Sequence, residues 1–233
     1  MDNQTLKYID QASSMIKSGS VPPTISPARW NGNEKAFEAI LQQTAGLIKF
    51  NSQKYDEALE PLQQAGELAP TDPVTFYLWG ESLRLGKYAE ARKAVEQTRQ
   101  KYDELSAQLK PIEEQVNQIN TELEKLSKLP DTPKNIARTQ ELTQQGENLN
   151  AKGKEITDQL ELLSNQVDEQ VAQTDQVVDK MIRVYAKTVA LTDKIPQLQQ
   201  TARQYLESYY KYRHQGLLEG LPELIQRMRT ELP

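Results

Sequence analysis

Between Val95 and Leu126 apolar or small residues recur at alternating steps of three and four: Val95, Thr98, Tyr102, Leu105, Leu109, Ile112, Val116, Ile119, Leu123 and Leu126. Lys, Glu, Gln and Asn fill most of the intervening positions. One narrow apolar stripe on an otherwise wet helix is a coiled-coil seam, and it needs a partner helix. At ~1.5 Å per residue the seam is about 45 to 50 Å long, too extended for one compact core. A second stripe follows at Leu142, Gly146, Leu149, Gly153, Ile156, Leu160, Leu163 and Val167. Between the stripes stands Pro130-Asp-Thr-Pro133, which supplies a turn, a threonine cap and a proline for the first helical turn. Two seams joined by a tight turn predict an antiparallel coiled-coil hairpin, with Leu149 near Ile112 and Leu163 near residues 98 to 102. Gly146 and Gly153 lie on the seam, where a missing side chain would admit the opposing helix, and the half of the hairpin nearer the turn is expected to be the looser one.

On either side of the hairpin the pattern is shorter. Residues 3 to 17 place Leu6, Ile9, Ala12 and Ile16 on one face of an amphipathic helix that must dock on something, ending at Ser18-Gly19. Pro22, Pro23 and Pro27 then interrupt any regular element, because proline cannot donate a backbone hydrogen bond and pushes its predecessor extended. From Glu34 helices of about a dozen residues alternate with short breaks. Beyond the hairpin, Val171, Val177, Val178, Met181, Val184, Tyr185 and Leu191 make the end of the return helix more apolar than its beginning, so that end is expected to be buried. After Ile195-Pro196 come a helix from Gln197 to His214 and a short terminal helix from Pro222.

Residues 39 to 72 resemble a tetratricopeptide repeat: Gly46, Tyr55, Ala58, Ala65 and Pro70 fall where that family places small or aromatic residues and its closing proline. Lys54-Tyr-Asp-Glu-Ala-Leu and Ala65-Gly-Glu-Leu-Ala-Pro70 are the segments most like it. A second copy starts at Pro73, with Thr71 or Asp72 as cap, and keeps Gly80, Gly86, Tyr88 and Ala91. It is one residue short between Gly80 and Tyr88 and has no closing proline. The ending Tyr209-Tyr-Lys-Tyr-Arg-His214 also resembles those of bacterial tetratricopeptide-repeat proteins. The resemblance implies an α-α superhelix with a groove lined by the first helix of each pair. Carried onto this chain, the groove positions are Gln43, Leu47 and Asn51 in the first copy and Tyr77, Glu81 and Arg84 in the second. The family's clamp for a peptide's terminal carboxylate uses a lysine and an asparagine where this chain has Gln43 and Leu47, which disfavours that role. The helix of residues 3 to 17 is a candidate to fill the groove from within. Because about three repeats are needed for a stable array, residues 171 to 214 are expected to form a repeat-like pair stacked on a 73 to 100 pair.

Composition narrows the chemistry. A net charge of −5 gives no support to nucleic-acid binding. With no cysteine and a single histidine, His214, thiolate catalysis, disulfides, Cys-based metal sites and multi-histidine metal sites are excluded. No glycine-rich phosphate loop, calcium loop or paired-histidine zinc motif is present. The carboxylates are interleaved with Lys and Gln at helical spacing, as on a solvated face. No catalytic residue, metal ligand or cofactor is therefore assigned. No apolar run approaches the ~20 residues that span a bilayer, so no membrane insertion is expected, and the chain reads as cytoplasmic by default, or periplasmic if a leader has been removed. Trp30 and Trp79 are expected to pack. Tyr209, Tyr212 and Arg213 suit a protein interface, beside a reading in which the tyrosines are buried against capping helices.

The resulting expectation is an all-α protein: residues 1–30 an N-terminal helix and proline-containing linker, 31–100 tetratricopeptide-like repeats, 101–170 the coiled-coil hairpin, and 171–233 helices capping the repeat body. Its expected function is a non-enzymatic scaffold or adaptor that binds a protein or peptide and carries a coiled-coil arm. Two alternatives stay open: structural homo-oligomerisation, including a homodimer through the coiled coil, and a small-ligand or enzymatic role in the repeat groove.

Overall fold

In a computed structural model of the chain, the described residues are 2–21, 26, 30 and 32–231. Most of the proline-containing linker lies outside them. Every regular element among the described residues is a helix: α1 (Asp2–Lys17), α2 (Glu34–Asn51), α3 (Tyr55–Leu68), α4 (Pro73–Leu83), α5 (Ala89–Leu126), α6 (Pro133–Leu191), α7 (Pro196–Arg213) and α8 (Leu221–Met228). The fold is all-α. It divides into two compact units, one formed by Met1–Ala91 with Gln173–Pro233 and the other by Arg92–Ala172.

In the first unit, α1 buries Ile9 and Ser13 and keeps Leu6, Ala12 and Ile16 partly covered, one row at helical spacing. It ends where Gly19 takes φ +73° and Ser20 N–H bonds back to the Met15 carbonyl, a left-handed stop that glycine adopts without strain. α2 and α3 form an antiparallel pair that packs tightly at Gly46. A Cβ there would lie 2.5 Å from Leu62 Cγ, so the pair needs glycine at this point. Ala58, Leu62 and Ala65 are at most 1% exposed beside it. Asp72 caps α4: its Oδ1 accepts from Val74 N–H at 3.1 Å and its Oδ2 from Thr75 N–H at 3.3 Å, with Pro73 in the first turn.

The expected break after α4 is absent. Leu83, Arg84 and Ala89 keep right-handed helical torsions, and Arg84–Tyr88 form a five-residue π-turn through which α4 runs on into α5. The second copy is therefore one uninterrupted helix and no helix pair, which corrects the 73 to 100 reading. Gly80 and Gly86 serve close approach instead of a turn. A Cβ on Gly86 would lie 2.7 Å from Asp56 Oδ1 and 3.1 Å from Tyr55 Cβ, at the start of α3. A Cβ on Gly80 would lie 2.8 Å from Tyr185 Cε1 on α6. Besides α3, whose Gly66 lies against the Phe76 ring, α4 thus packs on the last part of α6. Around that contact Phe76, Leu83, Val178, Met181, Ile182, Tyr185, Val189, Ala202, Leu206 and Tyr210 form one core, which Leu221 of α8 completes. Trp30 stacks on Phe37 at 5.5 Å and Trp79 on Phe76 at 6.3 Å, the packing roles anticipated for both.

In the second unit, the α5 and α6 segments run antiparallel about the 127–132 turn. Thr132 Oγ1 accepts from Asn135 N–H at 3.2 Å, as the turn sequence implies. Gly146 faces Ile119, and Gly153 faces Ile112 and Leu109. Every stripe position from Leu142 to Val167 is buried or half-buried, as are those from Val95 to Leu126 apart from Tyr102. The half near the turn is not the looser one. Leu142 is 2% exposed and Ile119 9%, among the best-covered side chains of the unit. Arg138 adds a forked pair to Glu122 across the two helices, at 2.9 and 3.2 Å.

Candidate functional site

The groove positions of the sequence reading separate into two groups. Tyr77, Glu81 and Arg84 come together on α4 and its π-turn, one helical step apart, but they do not line an open groove. Glu81 is 6% exposed. Its Oε1 accepts from the Tyr185 hydroxyl at 2.6 Å and from Arg84 Nε at 3.1 Å, and its Oε2 accepts from Arg84 Nη2 at 2.6 Å. Arg84 also lies over the Tyr205 ring, 4.7 Å from its centroid. Tyr209 stacks on Tyr185 at 6.4 Å and meets Tyr88 edge-on at 5.3 Å. The face that a second repeat would leave open is covered by tyrosines of α6 and α7, because the chain does not turn back at Gly86.

The electrostatics of this cluster favour locking over proton transfer. The hydrogen bond from Arg84 to Glu81 is the main cause that holds the guanidinium protonated. Burial, and then the Glu81 charge, push the Tyr185 hydroxyl far above its ordinary value. Burial, followed by neighbouring Tyr88, pushes Tyr209 up to about 12. Tyr77 moves the same way, chiefly through burial. At neutral pH these phenols keep their protons and the carboxylate keeps both donors. A buried pair with all its partners in place fixes one arrangement of α4, α6 and α7.

The second group behaves differently. Gln43 Nε2 donates to Thr75 Oγ1 at 2.9 Å and to Asp72 Oδ2, tying the middle of α2 to the cap of α4. Around this tie Ile40 is 57% exposed, Leu47 40% and Val74 42%. Asn51 is exposed at the end of α2. The helix of residues 3 to 17 does not cover them. α1 meets another side of α2, where Gln42 Nε2 donates to Ser13 Oγ at 3.3 Å.

Tyr209, Tyr212 and Arg213 join α7 to α6. Tyr209 is half-buried in the cluster above. Arg213 grips Asp179 through Nε at 2.8 Å and Nη2 at 3.1 Å, and reaches Asp175 at 2.6 Å. Tyr212 donates to Asp175 at 3.0 Å yet stays 55% exposed. His214 stacks on Tyr210 at 3.9 Å.

Sequence reasoning passed over Glu38, a carboxylate only 7% exposed. The signal for it was present: Glu38, Gln42 and Ala45 stand at steps of four and three on one stripe of α2, and Ile9, Ser13 and Ile16 form the matching row on α1. Among the described residues no group of three or more His, Cys, Asp or Glu could hold a metal ion, and no helix is long and apolar enough to cross a membrane. No protein-family model matches the chain, and comparison with curated proteins and with solved structures returns no match.

Proposed function

We propose that this protein is a non-enzymatic scaffold or adaptor, whose tetratricopeptide-like body takes a protein or peptide on the α2–α4 face and whose coiled-coil segment acts as a stiff helical arm. Exposed Ile40 and Leu47, two helical turns apart on α2 on either side of Gln43, together with exposed Val74 next to Thr75 on α4, carry this reading. Apolar side chains gathered on one face, with fixed polar groups between them, are what a protein interface uses. The likeness to tetratricopeptide repeats is supported by Gly46, Ala58 and Ala65, the small residues that carry it, all buried in the α2–α3 pair.

Affinity capture from cell extract, read by mass spectrometry, tests the assignment with the intact chain beside one carrying Ile40→Asp and Leu47→Asp. Both sites are exposed, so the thermal melt should not change. A partner held by the intact chain should be lost from the variant, and a partner held equally by both overturns the use of this face.

A second reading, self-association through the coiled coil, is favoured by Leu162, which is 70% exposed beside half-buried Leu105 and Leu163. Sedimentation equilibrium decides it. A dimer in the intact chain that becomes a monomer in Leu162→Asp supports the reading, and a monomer at every concentration removes it.

A further inference from the structure

Lys187 is the one basic residue among the described ones that is buried, at 4% exposure near the end of α6. It forms no ion pair among the described residues. Its Nζ lies 5.9 Å from the centroid of the Phe76 ring and donates to the Glu231 carbonyl at 2.6 Å. An ammonium taken out of water without a carboxylate in contact is costly, so the one acceptor it reaches matters more than an ordinary surface hydrogen bond. Burial moves the ammonium below its ordinary pKa, and the charge of Glu231 opposes that shift.

That acceptor stands on residues 229–231, which follow α8. α8 seats Leu221, Leu224, Ile225 and Met228 on the core, whereas Arg229, Thr230 and Glu231 are all exposed. Without an apolar anchor, this segment is tied to α6 and the turn after it by polar contacts. One is the Lys187 bond; the other runs from Arg229 Nη2 to Asp193 Oδ1, at 3.1 Å. The second pair is exposed on both sides, and such pairs hold weakly. The Thr230 and Glu231 N–H groups both donate back to the Arg227 carbonyl at 3.0 Å, which curls the segment without fastening it to α6. A stretch with exposed side chains and few outside contacts belongs to the low end of local stability, yet here it supplies the acceptor for a buried cation.

We propose that residues 229–231 are a releasable strap, latched by Lys187, that decides when this amine meets solvent. Closed, the Glu231 carbonyl holds the ammonium and Lys187 is covered. Open, Lys187 is bared beside the Phe76 ring, and the Glu231 carboxylate leaves with the strap. Arg229 sets how often the strap opens, because its pair with Asp193 is the second tie. The strap uses neither Ile40 nor Leu47, so this assignment and that of the α2–α4 face stand or fall independently.

The test is amine labelling of the full chain with N-hydroxysuccinimidyl acetate, followed lysine by lysine by mass spectrometry, with exposed Lys180 and Lys194 on the same chain as references. Lys187 should react at least about tenfold more slowly than either, since it reacts only through a local opening. Arg229→Ala should speed Lys187 by about two- to fivefold, the worth of an exposed ion pair, with the references and the thermal melt unchanged. The reciprocal variant is Lys187→Met, which keeps the length of the side chain and removes the donor. Amide exchange at Thr230 and Glu231, read by NMR, should then accelerate by about tenfold or more, as for the loss of a hydrogen bond to a charged group. Labelling of Lys187 at the rate of the references overturns the proposal, as does an unchanged Lys187 rate in Arg229→Ala or unchanged exchange in Lys187→Met. Should Lys187→Met fail to fold, the Arg229→Ala result decides.

Discussion

In the unit formed by Met1–Ala91 and Gln173–Pro233, a methyl on Gly46 would fall 2.5 Å from Leu62 and one on Gly80 would fall 2.8 Å from the Tyr185 ring. In the unit formed by Arg92–Ala172, a methyl on Gly146 would sit 3.6 Å from Ile119, and one on Gly153 3.6 Å from Ile112, which is ordinary van der Waals contact. The first unit sets helix spacing by removing side chains. The second sets it by the branched residues around the glycines. The burial follows: Phe76, Val178, Met181, Tyr185 and Leu206 are sealed at 0% exposure, whereas most seam positions of the helical pair stay half-wet.

The largest consequence is for truncation of apolar side chains. Met181→Ala should lose about 2 to 5 kcal/mol, the range for a large residue removed from a closed core. Leu123→Ala, at a half-buried seam position, should lose less than about 2 kcal/mol, because water already reaches part of the side chain and can fill the space left. Urea denaturation of both variants makes the comparison. Equal losses would show that the seam is as closed as the core. Leu142→Ala sharpens the point, since Leu142 is 2% exposed and should fall between the two.

Next is Gly80→Ala. Its new methyl meets an aromatic ring, not the free end of a flexible chain, and tilting that ring disturbs the Tyr185–Glu81 hydrogen bond. A loss of about 1 to 3 kcal/mol is expected, as for other insertions into filled cores. A neutral Gly80→Ala would mean that α4 and α6 can separate freely, and that Gly80 does not set their distance.

These contrasts mark how far the sequence could be read. The stripe from Val95 to Leu126 and its counterpart from Leu142 were legible because a two-helix seam is written in the period of one face. The α2–α3 pair was legible for a related reason, since Gly46, Ala58 and Ala65 mark close approach at short range. The continuous α4–α5 helix was not. Gly86 and the shortened spacing before Tyr88 look the same whether the chain turns or a π-turn lets the helix continue, and the choice depends on Asp56 and Tyr55 lying against Gly86. The groove positions failed where that turn failed: Glu81 and Arg84 are covered by Tyr185 and Tyr205, more than a hundred residues away in the chain. Gln43 and Leu47, in the copy that does turn, stay near the surface.

The tyrosine cluster gives the comparison a pH dependence. It lies wholly within the first unit, and burial raises Tyr209 from its ordinary value of 10.0 to about 12. A phenol whose folded value is raised binds its proton more tightly in the folded state, so its contribution to stability is intact below pH 10 and is lost progressively as pH rises toward about 12. Absorbance at 295 nm against pH should show late-titrating phenols, and amide exchange should accelerate first in residues 173–210. Earlier acceleration in residues 105–160 would place the alkaline weak point outside the cluster.

The smallest expected effect has the opposite sign. Gly153 lies in the interior of α6, half-buried, with helical backbone and no positive φ, so the chain gains nothing there from glycine's freedom. An alanine methyl would contact Ile112 Cγ2 at 3.6 Å and Leu109 Cδ1 at 3.8 Å without displacing either. Alanine also restricts the unfolded chain and favours the helix, so Gly153→Ala should raise stability by about 0.5 to 1 kcal/mol. Gly146→Ala should do the same, against Ile119 alone. The two sites are two helical turns apart, so the gains should add. A double variant no more stable than the parent would show that the seam uses its glycines for closer approach than these distances allow, and the contrast between the two units would disappear.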